Sequence, residues 1–153
     1  MSDDWIILIP EKAGHIPDQE ARDNLLTKFR EIASASDEIS AHVGEKLEFE
    51  HSGINSGKIF CPDCGSQLES DWWDAQIEED FREEDKSFRL GTHKLPCCGA
   101  TKTLHDLRYE WPQGLAKFRL EAMNPNIGKL STESLKDLEQ VTGCQLRVIY
   151  RHL

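Results

Sequence analysis

The chain has 153 residues, 30% of them charged and 38% hydrophobic, which suits one domain or one domain carrying an insertion. No apolar run approaches the roughly 18 residues of a membrane helix, and the acidic start MSDDWIILIPEKAG lacks the basic-then-apolar order of a secretory signal. A cytoplasmic location is therefore expected, where five cysteines, an odd number, point to metal or free thiols rather than disulfides.

In chain order, WIILI (5–9), ended by Pro10, reads as a buried strand. Asp18 can cap a helix that places Leu25, Leu26, Phe29, Ile32 and Ala33 on one face. EKLEFEH (45–51) alternates, with Leu47 and Phe49 inward, and predicts a second strand. Far along the chain LAKFRLEAM (115–123) alternates too, with Ala116, Phe118, Leu120 and Ala122 on one face. Ser131 can cap a further helix with Leu130 and Leu135 as its hydrophobic staple. Leu135, Leu138 and Val141 supply its buried face, and Gly143 sits where a C-terminal cap belongs. CQLRVIYRHL (144–153) alternates again, with Cys144, Leu146, Val148 and Tyr150 together, and Cys144 reads as a core residue.

Strand–helix–strand thus occurs twice, in 1–51 and 114–153, and the expected fold is α+β. Two such halves can form one ferredoxin-like antiparallel sheet with both helices on one face. Residues 52–113, which hold four of the five cysteines, then read as an insertion.

The insertion carries the chemistry. In CPDCG, Pro62 sets a turn and Gly65 allows a backbone conformation in which amides point at sulfur, so that Cys61 and Cys64 can converge on one ion. GKIF before it reads as the strand that delivers this knuckle. KLPCCGA offers Cys97 and Cys98 after a gap of 32 residues. Aligning CPDCG on LPCCG puts Leu95 at the first ligand position and Cys97 opposite Asp63. Either both adjacent thiols bind, or His93 replaces the missing one.

Over residues 58–105 these motifs resemble a zinc ribbon, in which two Cys turns close on one tetrahedral Zn. The resemblance implies one structural zinc held by Cys61, Cys64, Cys97 and Cys98, with His93 as substitute ligand. The stretch LPCCGATKTLHDLRYEWPQGLAKFRLEAMNP also resembles small bacterial proteins, a likeness that implies no activity.

The alternatives for the thiols are a redox pair or plain buried cysteines. A redox Cys-x-x-Cys wants a helix N-terminus right after its first cysteine, which Pro62, Asp63 and Gly65 do not suggest. No His-Glu-x-x-His, phosphate loop or nucleophile elbow is present. The chain is expected not to be an enzyme, although a zinc with an open position would revive that reading.

The net charge of −10 is local: residues 69–85, ESDWWDAQIEEDFREED, hold nine acids and one base. Such a run is either a solvated helix face or a surface for a basic partner, and it repels nucleic acid and membranes. Trp72 and Trp73 lie inside it, flanked by Asp71 and Asp74 and followed by Glu78, Glu79 and Asp80. Two consecutive tryptophans cannot both face inward from a regular element, so one is expected to be partly exposed or to lean on the knuckle. Trp111 alternates with Leu107 and Tyr109 and reads as packing.

The sequence therefore leads to a non-enzymatic zinc-binding protein that engages a basic protein partner through this acidic, Trp-bearing surface. By charge and size an inhibitor or immunity protein is a fitting analogy. The alternatives are a nucleic-acid-binding zinc ribbon, since residues 86–153 carry eleven bases against six acids, and a zinc- or thiol-dependent enzyme.

Overall fold

A computed structural model describes residues 2–55 and 57–153, and it is a mixed α+β structure with antiparallel sheets. The largest sheet has four strands: β1 (Asp4–Pro10), β2 (Glu38–Glu50), β10 (Gly114–Met123) and β11 (Leu146–His152). They lie in the order β11-β1-β10-β2, each neighbouring pair antiparallel. Helix α1 (Gln19–Ile32) links β1 to β2, and α3 (Thr132–Thr142) links β10 to β11.

The helix boundaries follow their caps. The Asp18 carboxylate accepts from the Ala21 amide at 2.8 Å, and the Ser131 hydroxyl accepts from the Ser134 amide at 3.0 Å. Gly143 ends α3 at φ 78°, a left-handed conformation that costs glycine little. Leu25, Phe29 and Ala33 of the first helical segment and Leu138 of α3 share one core with Ile6, Leu8, Phe118, Leu120, Ala122 and Leu146. Both helices therefore cover the same face. Cys144 packs against this core as expected, but it precedes β11.

Two expectations need correction. The second strand begins at Glu38 rather than at 45, because pairing with β10 recruits residues whose own alternation is weak. A bulge between Ala116 and Phe118 also turns Ala116 to the opposite face, where it packs with Ile7, Ile9 and Ile149.

Residues between β2 and β10 form short pieces. A three-stranded sheet contains β3 (Ile59–Phe60), β4 (Gln67–Leu68) and β9 (Arg108–Tyr109). Two hairpins follow, β5 (Phe81–Arg82) with β6 (Ser87–Phe88), and β7 (Thr92–Lys94) with β8 (Thr101–Thr103). Helix α2 (Ser70–Asp80) lies between β4 and β5. Ile59, Cys61, Leu68, Leu95, Leu104, Leu107 and Tyr109 build a second core of their own.

Several contacts seat this segment on the large sheet. Phe49 of β2 packs on Trp73 of α2 at 5.6 Å and on Phe88 of β6 at 6.1 Å between ring centroids. On the other side His105 accepts from the Leu115 amide through Nδ1 at 2.9 Å, and its Nε2 donates to the Glu11 carbonyl at 2.6 Å. Arg147 bridges the same junction, donating to the carbonyls of His105 at 2.9 Å and Gln113 at 2.7 Å and pairing with Glu11.

Candidate metal centre

The first hairpin, β3–β4, ends in the turn 61–66, and the second, β7–β8, ends in the turn 95–100. The two turns have the same backbone wiring. The Cys61 amide donates to the Ser66 carbonyl at 2.9 Å, and the Gly65 amide to the Cys61 carbonyl at 3.0 Å. In the second turn the Leu95 amide donates to the Ala100 carbonyl at 2.8 Å, and the Gly99 amide to the Leu95 carbonyl at 3.0 Å. Gly65 and Gly99 have φ of 75° and 76°, which explains the glycine after each Cys64-type position.

The turns bring Cys61, Cys64, Cys97 and Cys98 together, with all four Sγ atoms within 4.8 Å of one another. Cys61 Sγ lies 3.8 Å from Cys98 Sγ, and Cys97 Sγ lies 3.9 Å from Cys98 Sγ. Four sulfurs about 2.3 Å from a central ion sit roughly 3.8 Å apart at the corners of a tetrahedron. The donor set and its spacing thus fit one tetrahedral metal ion.

Amides support the sulfurs. The Cys64 amide points at Cys61 Sγ at 3.4 Å and lowers that thiol's pKa. The Ser66 hydroxyl and amide pull Cys64 down to about 6. Desolvation and the surrounding thiols Cys64, Cys61 and Cys98 push Cys97 up to about 12. The Ala100 amide draws Cys98 down, but burial and the Cys61 and Cys64 thiols outweigh it and leave Cys98 raised. Four thiols this close cannot all ionise alone, whereas a divalent cation relieves the repulsion.

Both adjacent thiols of the second turn belong to the cluster. His93 does not: its Nε2 meets Asp80 Oδ1 at 3.1 Å and its Nδ1 meets Gln76 Oε1 at 2.9 Å. Cys97 reaches the sulfur cluster from the turn's middle position, so no histidine is needed. Asp63, at the matching place in the first turn, instead pairs with Lys102 of β8 at 3.0 Å and ties the two hairpins together.

The acidic run divides by side of helix. Asp71, Asp74, Glu78 and Glu79 are exposed. Asp80 is not a surface charge: it is 2% exposed, accepts from the Leu90 and Gly91 amides at 3.1 and 2.8 Å, and faces His93. It closes the loop after α2, a role invisible while its partners are 10 to 13 positions away.

Trp72 and Trp73 both flank the inward side of α2 and pack against the second core, of which Cys61 is part. Trp73 Nε1 donates to Tyr109 Oη at 3.0 Å, and Tyr109 in turn donates to the Leu104 carbonyl at 2.6 Å. Trp111, expected to pack beside Leu107 and Tyr109, lies outside that core and faces the Lys129 ammonium at 5.5 Å.

No known protein family, curated protein or solved structure matches this chain. Among the described residues no helix is long and apolar enough to cross a membrane.

Proposed function

We propose that this is a non-enzymatic zinc protein in which a closed four-cysteine site holds an insertion, residues 52–113, that presents an acidic helix face to a basic protein partner. Zinc is the ion favoured by four thiolates with tetrahedral spacing, with iron the other candidate for such a set. Four protein ligands leave no position for a reactive water, which favours a structural role. The order β11-β1-β10-β2, with both helices on one face, supports a ferredoxin-like platform beneath the insertion.

The observation that carries the binding role is that Asp71, Asp74, Glu78 and Glu79 are exposed on α2 while, among the described residues, none has an ion-pair partner. Glu78 and Glu79 also sit in the last turn of α2, which has no basic residue. Acids there oppose the helix dipole at about 0.3–1 kcal/mol each. Charge kept against local stability supports a role in recognition. The tryptophans of the run act as the support of this face rather than as its anchor. A cytoplasmic setting, with an inhibitor or immunity-type role, accords with this reading.

The test is affinity capture from the native cytosol by wild type and by the variant Asp71→Asn, Asp74→Asn, Glu78→Gln, Glu79→Gln. Wild type is expected to retain a basic protein whose association slows as salt rises, and the variant to associate more slowly with little salt dependence. Equal association by both proteins would reduce the run to a solvated face. Retention of DNA or RNA instead would favour the nucleic-acid reading.

A further inference from the structure

Helix α2 is weak by its own sequence. It has 11 residues, Glu69 at its N-cap makes no side-chain cap bond, and no base balances Glu78 and Glu79 in its last turn. A helix this short is marginal in water and takes its order from packing. Trp72, Trp73 and Ile77 supply that packing on the second core. The end of the helix is held differently, by one aspartate. The Asp80 carbonyl accepts from the Arg89 amide at 3.0 Å, and its carboxylate accepts from the Leu90 and Gly91 amides at 3.1 and 2.8 Å. Leu90 stands at φ 56°, a left-handed conformation that a leucine keeps only where its surroundings impose it.

His93 completes this knot. It is buried, its Nε2 donates to Asp80 Oδ1 at 3.1 Å, and its Nδ1 meets Gln76 Oε1 at 2.9 Å, so both ring nitrogens are engaged by α2. His93 is also the middle residue of β7, and Leu95, two positions on, opens the second cysteine turn. One short strand thus carries the end of the acidic helix on one side and two of the four sulfurs on the other.

Little else fixes that strand. Among the described residues β7 and β8 pair with no strand but each other, and a lone two-stranded ribbon is marginal in water. Leu95 enters the second core, and Lys102 pairs with Asp63 of the first turn, with both side chains partly in water. Ion pairs of that exposure hold little. The sulfur cluster is the other link between the two turns. We infer that His93 couples the metal centre to the acidic face: zinc fixes the second hairpin, the hairpin presents His93, and His93 holds Gln76 and Asp80 so that Glu78 and Glu79 keep their helical places. This coupling rests on the metal-held reading proposed above and adds its regulation. Loss of the metal releases the last turn of α2, and by linkage a partner that orders this turn tightens the metal. His93 is a positioning residue, not a ligand.

Amide hydrogen exchange on the full chain, zinc-loaded and after removal of zinc by a chelator under reducing conditions, reads the coupling. Removal is expected to speed exchange about tenfold or more in residues 77–81 and 92–103 and to leave α3 unchanged. His93→Val keeps a strand-forming residue and should still bind one zinc per chain, several-fold more weakly. Its residues 77–81 should exchange fast already with zinc bound and no longer respond to removal. Gln76→Ala, a change that favours helix, deletes one of the two ring contacts and should shrink the response. A response of undiminished size in His93→Val, or in Gln76→Ala should the first variant not fold, would overturn the route through His93. One zinc per chain with residues 77–81 unmoved by its removal would overturn the coupling and leave the metal centre standing, whereas a chain that binds no zinc would overturn both. Faster exchange in α3 as well would mean general unfolding and would also overturn the coupling.

Discussion

Leu95 occupies in the second cysteine turn the place that Cys61 holds in the first. Each residue's amide and carbonyl make the same two turn hydrogen bonds, and both side chains enter the second core. The two turns share a backbone although a leucine stands where the first turn has a cysteine, and Cys97 supplies the fourth sulfur from the position where the first turn has Asp63. This equivalence can be tested by moving the ligand back. Cys97→Asp alone should lower zinc affinity by about 100-fold or more, since a tetrahedral thiolate site loses one donor. Adding Leu95→Cys should restore most of it, by giving both turns the first-turn pattern. Competition with a chromophoric chelator measures both steps, and no recovery in the double variant would show that the turns are not interchangeable.

Zinc binding should release fewer protons than there are ligands. Cys64, pulled down to about 6 by Ser66, is already a thiolate at pH 7.5, and Cys61 is shifted the same way by the Cys64 amide. Cys97, pushed up to about 12, and the raised Cys98 must give up protons to the incoming metal. Calorimetry of the metal-free protein in buffers of different ionisation enthalpy is expected to give a release of about two to three protons. Affinity should fall as pH falls, because each ligand regains its proton in competition with the ion.

The junction at His105 should make stability sensitive to mild acid. Burial and the Arg147 guanidinium hold the His105 pKa below its ordinary 6.5, and the ring is fixed as an acceptor from Leu115 and a donor to Glu11. The unfolded chain then binds the proton more readily than the folded one, so stability is full above 6.5 and is lost as pH falls toward the folded pKa. His105→Gln cannot take up that proton. Its melting temperature should lie below wild type at pH 7.5, and the gap should narrow by pH 5.5. Gly114→Ala should be worse, since its methyl would lie 2.7 Å from His105 Nδ1 and 2.8 Å from Arg147 Nη1. Overpacking of this kind costs about 1–3 kcal/mol.

Trp73 should behave as a structural residue. Trp73→Phe removes the donor to Tyr109 Oη while keeping a ring against Phe49, at a cost of about 1 kcal/mol. Trp73→Ala removes the ring that joins Phe49 to Tyr109 and should cost about 3 kcal/mol. Urea unfolding checks both values. Unchanged stability in Trp73→Ala would return this residue to the list of partner contacts.

The sequence by itself determined the elements whose signal is local. Asp18, Ser131 and Gly143 mark helix ends by bonds spanning a few residues, and the period of Leu25, Phe29 and Leu138 sets which face is buried. The cysteine turns were legible for the same reason, because x-Pro-x-Cys-Gly describes one tight bend, and a sulfur cluster is the direct product of two such bends meeting. Tertiary structure alone decided what depends on distant partners. That Asp80 faces His93, that Trp73 donates to Tyr109 and that Trp111 stands against Lys129 depend on residues 13 or more positions away. The bulge that turns Ala116 over is of the same kind, since register belongs to a pair of strands and not to either one. An amino acid's periodicity states which side of its own element it occupies. What stands on that side is set by the packing of other elements, and here that packing buried Asp80 and His93 against each other.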